Sequence, residues 1–499
     1  MKCEKGMSFQ ECELAILRSA VDKIEKKVGR KMIGNPIIQE IIGIVEEFLR
    51  KKQRVCYGGT AINNILPEED QFYDKSIELP DYDFFSPEPL ADAKELADIF
   101  FHKGFSEVNA KAGMHAGTFK VFVNFIPVAD ISLLPKDLYK IVHKTSIVKD
   151  GIHYSSPDYL RMLMYLELSR PQGDASRWEK VLKRLTLLNK TYPLIGKDCK
   201  FMEIQRLFDP DNKLSKNLSE KIFYIVRDSL ISQKVVFFGA MANQMYLKNI
   251  KRFSKKKLRP IPDFDVLALN PETTANILKV QLKSAGINKV TIKKHEGVGE
   301  IIAPHYDVRI NGETIAFIYE PLACHSYNVI HRGGKQIRVA TIDTMLSFYL
   351  AFLYVDRPYY DADRILCMSH YLFLVQQRNR LQQKGLLRRF SIDCYGEEKH
   401  TKEKIRAEKA KRFKKLKAVK GSKEWNFYFL NYNPAEDNEK HMTVKSAKTT
   451  SKARKSHKKH TTHKKHKTRK THKARKTHKR KSAKKSKKSK SKKRKPFFL

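Results

Sequence analysis

The feature that most constrains the fold of this 499-residue chain is a pattern that occurs twice, about 180 residues apart. In each copy an amphipathic helix leads into a short apolar strand, a turn that begins with glycine, and a second helix. The first copy runs from 35–53 through 55–57 to Gly58-Gly59, and the second runs from 217–233 through 235–238 to Gly239-Ala240. Further matches follow each glycine turn in the same order.

A pair of aspartates comes next, as Asp81-Tyr82-Asp83 in the first copy and Asp263-Phe264-Asp265 in the second. Each pair is followed by a candidate hairpin, 118–123 with 128–134 and then 306–310 with 314–319, and by an apolar helix that ends in Arg-Pro. Asn-Gly between the last two strands is a strong hairpin signal. Five matches in one order predict a tandem duplication of an α/β unit.

The charge of the chain is strongly positive, at +45 from 99 Lys+Arg against 54 Asp+Glu. We therefore expect an acidic partner, RNA or DNA first. Residues 441–499 carry 27 of these cations and no acidic residue. Such a segment buries too little apolar surface to offset its ordering entropy, which predicts a disordered basic tail.

Cysteine usage and hydropathy indicate the compartment. No two of the seven cysteines form CxxC, so neither a disulfide framework nor a zinc knuckle is expected, and a reducing compartment fits best. Met1–Lys5 lacks an apolar stretch of signal-peptide type, and the longest apolar run, 345–355, is too short to span a bilayer. We expect no membrane association.

The aspartate pair is the strongest chemical signal. Asp81 and Asp83 face the same side of a strand and repel each other unless a cation lies between them. Phe84 and Phe85 follow at once, which favours a metal site over a solvated strand edge, because buried unpaired carboxylates are costly. Asp130, in the apolar run 128–131, is a candidate third ligand, although a salt-bridged Asp is the alternative. Mg²⁺ suits such oxygen ligands.

The first glycine turn is a candidate phosphate site. Gly58 and Gly59 let the backbone approach a phosphate, and the helix N-terminus that follows favours an anion. An ordinary strand-to-helix turn is the alternative. Asn63, early in that helix, is a candidate contact to nucleotide or primer, with capping or packing equally open.

A glycine turn, D-x-D and a lone strand Asp together resemble the nucleotidyltransferase superfamily of the polymerase β type. The resemblance implies that Gly58, Gly59 and Thr60 hold a nucleoside triphosphate. It also implies that Asp81 and Asp83 bind two metal ions, Mg²⁺ or Mn²⁺, and that Asp130 binds the one that activates the attacking hydroxyl.

The spacing departs from the usual superfamily pattern, because 20 residues separate Gly59-Thr60 from the D-x-D. The insertion, around 66–77, is polar and is expected to be a loop. This long gap and the duplication are similar to the poly(A) polymerase catalytic subunits of poxviruses and other large DNA viruses. The resemblance implies template-independent addition of AMP from ATP to RNA 3′ ends, in a virion and host-cytoplasm setting. It also implies an assembly, either a homodimer or a complex with a viral processivity partner.

Only one copy retains the full set of carboxylates. Aligning the hairpins places Phe317 against Asp130, and Ala240 replaces the second glycine. We therefore expect the first copy to be catalytic and the second to be a degenerate scaffold. The alternative is that both copies work, with Glu320 or Asp307 as the third ligand.

Weaker candidates and other functions stay open. His115 could contact substrate, although a plain loop His is the simpler interpretation. Four cations could bind the triphosphate or could be surface charges: Arg161, Arg170, Arg177 and Lys180. The chain could also be another terminal transferase, CCA-adding or oligoadenylate-forming, or an inactive nucleic-acid-binding scaffold.

The sequence as a whole predicts an α/β (α+β) fold of tandem nucleotidyltransferase-like domains, each a mixed sheet flanked by helices. The predicted parts are an N-terminal helical segment 1–34, a catalytic domain 35–190, a linker 191–216, a degenerate domain 217–395, a C-terminal extension 396–440 and the tail 441–499.

Overall fold

The computed structural model describes residues 7–74, 80–197, 199, 215–249 and 261–437. The predicted tail and most of the predicted linker lie outside these residues. In the described part of the chain, the mixed α/β fold is confirmed, and the chain forms two mixed sheets flanked by helices.

The first half begins with two helices and builds one sheet. Its elements are α1 (Phe9–Ile33), α2 (Pro36–Lys52), β1 (Val55–Cys56), α3 (Gly58–Ile65), β2 (Tyr82–Ser86), α4 (Pro89–His102), β3 (Val108–Ala112), β4 (Thr118–Val123), β5 (Ile126–Leu133), α5 (Lys136–Lys144), β6 (Ile147–Lys149), β7 (Ile152–Tyr154), α6 (Pro157–Leu168) and α7 (Trp178–Thr191).

The second half repeats the plan, and a C-terminal extension follows it. The elements are α8 (Lys216–Ser232), β8 (Val236–Phe238), α9 (Gly239–Leu247), β9 (Phe264–Leu267), α10 (Pro271–Ser284), β10 (Val290–His295), β11 (His305–Ile310), β12 (Glu313–Tyr319), β13 (His325–Arg332), β14 (Lys335–Ala340), α11 (Ile342–Phe352), α12 (Ala362–Arg378), β15 (Cys394–Tyr395), α13 (Lys402–Leu416), α14 (Lys423–Phe429) and β16 (Asn431–Tyr432).

The two sheets have the same strand order, which confirms the internal duplication. The first runs β16-β3-β4-β5-β2-β1-β7-β6 and the second runs β10-β11-β12-β9-β8-β14-β13-β15. Seven strands of one sheet match seven of the other, and β16 and β15 each extend one edge. The hairpins β6-β7 and β13-β14 are also equivalent, and the sequence analysis did not predict them.

Local chemistry explains where the elements begin and turn. The Asn35 side chain caps α2, accepting from the Ile37 N–H, and Pro36 occupies the first turn of the helix. The hairpin between β11 and β12 turns at Asn311 and Gly312, both at positive φ, as a two-residue turn of this kind requires.

The two halves pack through equivalent helices, α6 and α11. Helix α6 follows β7 and helix α11 follows the equivalent β14, and each is capped by a hydroxyl, that of Ser156 or of Thr341. At the contact, the hydroxyls of Ser156 and Tyr354 lie 2.6 Å apart, and the Tyr159 and Tyr354 rings meet edge to face. The first half therefore packs directly against the second through these helices.

The expectation of no disulfides is wrong. Cys199 is bonded to Cys367 and Cys324 to Cys394, with Cα–Cα distances of 5.3 and 5.1 Å. The partners are 168 and 70 residues apart in sequence, so only the tertiary fold brings them together and no local cysteine spacing could have signalled them. Within the described residues, none of the helices has the length and apolar character that crossing a membrane requires.

Candidate active site

Asp83 and Asp130 lie side by side on neighbouring parallel strands of the first sheet. Asp83 on β2 is directly opposite Asp130 on β5, and Asp81 immediately precedes β2. Tyr82 and Phe84 alternate with the aspartates and are buried on the other face of the sheet. The pleat therefore presents the carboxylates together on the open face, as the sequence predicted.

The glycine turn touches these carboxylates. Gly58 has a φ of +73°, and a Cβ at this position would lie 2.6 Å from Asp83 Oδ2. The Tyr57 N–H donates to the Asp83 carbonyl at 2.9 Å, and Thr60 Oγ1 donates to the Asp81 carbonyl at 2.6 Å. Turn and carboxylates thus form one rigid unit, in which only glycine fits position 58.

Burial and mutual repulsion raise the pKa values of two of the carboxyl groups. Burial, followed by the negative charges of Asp81 and Asp130, raises the pKa of Asp83 to about 7. Desolvation and the Asp130 charge also raise the pKa of Asp81, although Lys120 and Lys180 oppose the shift. An accumulation of negative charge of this kind favours a bound cation.

Lys120 supplies one positive charge to the cluster. Its ammonium, on β4, is in close contact with Asp130 Oδ2, whereas Asp130 Oδ1 is buried and has no hydrogen-bond partner among the described residues. Over those same residues, no three His, Cys, Asp or Glu side chains converge as a ready-made metal cage. The orphaned oxygen and the raised pKa of Asp83 nevertheless fit a divalent cation, which would compete with Lys120 for Asp130.

Arg184 was missed by the sequence analysis and lies over the glycine turn. A Cβ on Gly59 would lie 2.9 Å from an Arg184 guanidinium nitrogen, and Arg184 donates to the Tyr73 hydroxyl at 2.5 Å. Arg177, Lys180 and Arg184 recur at helical spacing at the start of α7 and within it. The sequence signal that could have identified Arg184 was this spacing, extended by one helical turn beyond Lys180.

Asn63 is buried and holds the inserted loop. Its Oδ1 accepts from the backbone N–H groups of Phe72 and Tyr73, both at 2.8 Å. This contact fixes the described part of the insertion, 66–74, beside α3. A nucleotide contact by Asn63 stays a prediction.

Two of the candidate arginines are engaged in structural contacts. Arg161 is 1% exposed; it contacts Asp158, and its Nε donates to Asn189 Oδ1 at 2.7 Å. Arg170 forms an ion pair with the buried Glu398 of the C-terminal extension. The charge of Arg177 instead opposes the rise in the pKa of Asp83, and that of Lys180 opposes the rise in the pKa of Asp81.

His115 lies in the loop between β3 and β4, beside the C-terminal extension. Its ring centroid is 6.1 Å from that of His400, and Lys409 of α13 donates to the Gly113 carbonyl at 2.5 Å. Desolvation and the His400 charge lower the pKa of His115. The loop is thus braced by the extension, and a substrate contact by His115 stays a prediction.

The second copy has the same geometry without the third carboxylate. Asp265 on β9 is directly opposite Phe317 on β12, as Asp83 is opposite Asp130. The strand register therefore confirms the alignment of Phe317 with Asp130. Gly239 repeats the positive φ of Gly58, and a Cβ there would collide with Asp265.

The alternative third ligands of the second copy are engaged elsewhere. Asp307 is fully buried. Its carboxylate accepts a hydrogen bond from Arg309, and its Oδ2 lies 3.0 Å from His295 Nε2. Glu320 faces Lys399 at 3.5 Å. The pocket around Asp263 and Asp265 is lined by six aromatic rings, those of Phe317, Tyr319, Tyr349, Phe352, Tyr359 and Tyr360.

Comparison with known proteins agrees with this geometry. The family model for the poly(A) polymerase catalytic subunit matches residues 43–174. A candidate poly(A) polymerase catalytic subunit of Acanthamoeba polyphaga mimivirus is 30% identical over 237 residues, which is 45% of this chain and 38% of that protein. A similarly named protein of African swine fever virus (strain Badajoz 1971 Vero-adapted) is 33% identical over 174 residues, which is 34% of this chain and 36% of that protein.

The fold extends beyond the matched sequence. The crystal structure of the Megavirus polyadenylate synthase superposes with a TM-score of 0.71 at 21% identity, over 87% of this chain and 88% of that one. The matches to the mimivirus and African swine fever virus proteins span less than half of their lengths. All three aspartates lie within the residues that the family model matches.

Proposed function

We propose that this chain, whose residues 43–174 match the family model for the poly(A) polymerase catalytic subunit, is a template-independent polynucleotide adenylyltransferase that adds AMP from ATP to RNA 3′ ends. The observation that carries the proposal is the pairing of Asp83 with Asp130, directly against the Gly58 turn. The second copy lacks this combination, because Phe317 replaces the carboxylate.

The residues of the first copy have distinct tasks in this reaction. Asp81, Asp83 and Asp130 would hold two divalent ions, which when bound supply Lewis-acid activation of the attacking hydroxyl and of the α-phosphate. Gly58, Gly59 and Thr60 bring the backbone N–H groups of α3 towards the triphosphate. Arg184, already over this turn, neutralises phosphate charge on the far side from Asp130.

The function is tested by incubating the full chain with a labelled RNA primer, Mg²⁺ or Mn²⁺, and each nucleoside triphosphate separately. Extension with ATP alone supports the proposal. Incorporation of CTP before ATP would indicate CCA addition, and primer-independent products would indicate oligoadenylate synthesis. No incorporation of any nucleotide would indicate an inactive nucleic-acid-binding scaffold.

The second copy is expected to tolerate loss of its carboxylates. Asp265→Asn should change the rate of AMP addition by less than about twofold, since Phe317 occupies the third ligand position. The matched comparison is Asp83→Asn, assayed by primer extension at saturating ATP. Loss of turnover in Asp265→Asn with activity retained in Asp83→Asn would mean that the two copies have been assigned the wrong way round.

The assembly we propose is a homodimer that supplies its own additional RNA-binding surface, rather than a complex with a separate viral processivity partner. The basic composition of the body, about +18 outside residues 441–499, supports this proposal. Light scattering at micromolar concentration is expected to return twice the chain mass of 58.0 kDa. A monomer mass would favour the separate partner.

The basic tail is proposed to tether RNA in the virion and in the host cytoplasm. Its 27 cations should bind phosphates without sequence preference, and binding should weaken steeply with salt. Deleting residues 440–499 should shorten products at moderate salt and should leave single-nucleotide addition at saturating primer nearly unchanged. Equal product lengths across a salt series would favour nuclear import or packing beside genomic DNA.

A further inference from the structure

A row of side chains crosses the open face of the first sheet, from the carboxylates to the sheet edge. Each residue is directly opposite the next on the neighbouring strand, in the order Asp83, Asp130, Lys120, Lys111 and Asn431. With strands about 4.8 Å apart, the row is roughly 19 Å long. The residues that alternate with the row, including Val121 and Ile131, are fully buried beneath it.

The charge along this row changes sign. Two carboxylates are followed by two ammonium groups, of which Lys120 is paired with Asp130. Lys111 is exposed, and within the described residues no carboxylate lies at ion-pair distance from it. Its Nζ lies 5.7 Å from the centroid of the Phe122 ring, which is half-buried on the same face. An exposed cation and a partly exposed ring thus lie side by side.

The row and the glycine turn lie on opposite sides of Asp83. In the strand order, β5, β4 and β3 extend from one side of β2, whereas β1, which leads into the glycine turn, lies on the other. An incoming nucleotide held by that turn approaches the carboxylates from the β1 side. The second substrate then approaches the carboxylates from the side of β5, β4 and β3, where the row begins.

We propose that the 3′-terminal nucleotides of single-stranded RNA bind along this row, with backbone phosphates at Lys111 and Lys120 and one base stacked on Phe122. The inference rests on the proposed function and assigns it an acceptor site. Cationic side chains beside an exposed ring are the combination that holds single strands without reading their sequence. The order of charges also places the strand end, rather than its interior, at Asp130.

Lys120 has a second consequence for this site. Its ammonium pairs with Asp130, and a divalent cation held by Asp130 would compete for that carboxylate and leave the ammonium available beside Lys111. Because Lys120 contacts a proposed metal ligand, replacing it would disturb both sites. Lys111 and Phe122, further along the row, are therefore the informative positions.

The test measures RNA binding by fluorescence anisotropy with the full chain, Mg²⁺ and no ATP. The probe is a fluorescein-labelled six-nucleotide oligoadenylate with a 3′-deoxy end, which cannot be extended. Lys111→Ala is expected to weaken binding at least threefold and to reduce the log–log salt slope by about 0.7. Phe122→Leu is expected to weaken it about fivefold or more at an unchanged slope, and Phe122→Tyr is expected to restore it.

The control is Lys103→Ala, an exposed lysine that follows α4 on the opposite face of the sheet, and thermal melting verifies that each variant is folded. Primer extension should show a raised KM for RNA in Lys111→Ala. The proposal is overturned if both row variants bind the probe as tightly as Lys103→Ala, or if Lys111→Ala lowers kcat with KM unchanged. Failure of the parent chain to add AMP would instead refute the proposed function, whatever the binding series gives.

Discussion

Asp83→Asn is expected to lower AMP addition by more than about 100-fold and to leave the fold intact. Loss of a group that only orients a metal ligand typically costs 10–100-fold, so loss of a ligand itself costs more. The side chain is held by its strand rather than packed in a core, since its carboxylate faces Asp130 on the open face. Single-turnover primer extension and circular dichroism measure the two effects.

The same substitution should stabilise the metal-free protein at high pH. The folded-state pKa of Asp83, about 7 against an ordinary 3.8, means that the folded chain binds a proton that the unfolded chain releases. Stability of the parent therefore falls as the pH rises from about 4 to 7. The melting temperature of Asp83→Asn should exceed that of the parent increasingly over this range, and Mg²⁺ should reduce the difference. A lower metal-free melting temperature at pH 8 would contradict this account.

Gly58→Ala is expected to abolish most of the activity, by about 100-fold, and to destabilise the protein. The positive φ alone costs an alanine roughly 1–2 kcal/mol. The new methyl group would also lie 2.6 Å from Asp83 Oδ2, so the carboxylate must move, and a displacement of about 1 Å at reacting groups can cost 10²-fold. Single-turnover addition and thermal melting measure both losses.

Two other glycines separate these causes. Gly104 has a φ of +98° and open space where a Cβ would be, so Gly104→Ala carries only the backbone cost and should retain activity. Gly239→Ala repeats the collision in the second copy, against Asp265, and should lose stability without losing chemistry. Activity in Gly58→Ala equal to that of Gly104→Ala would show that contact with Asp83 is unimportant.

The sequence predicted those parts of the molecule that local patterns encode. Alternation around Asp83 and Asp130 placed both carboxylates on one face, and the matched hairpins aligned Phe317 with Asp130. It could not predict Arg184 over Gly59, because that contact joins residues more than a hundred positions apart. Lys120 was overlooked for a related reason, since its role depends on the register of β4 against β5.

The cysteines and the short hairpins illustrate the same limit. The pairing of Cys199 with Cys367 depends on how α12 packs, and no spacing along the chain encodes it. Strands β6 and β7 have three residues each, too few for alternation to distinguish them from a loop. Their existence became evident only from the pairing of β7 with β1 and of β6 with β7.

The contact between α6 and α11 bears on ancestry. A helix that meets its own counterpart is the self-complementary contact that two separate copies of a single unit use when they form a two-fold pair. The α6–α11 contact is therefore of the kind that fusion of two such copies into one chain would leave behind. In a single chain the two copies cannot separate. The second copy could therefore lose an aspartate opposite Asp265 while the first kept Asp130, whereas a substitution in the α6–α11 contact would affect both copies. The second copy remains part of the fold because the first packs against it through this contact.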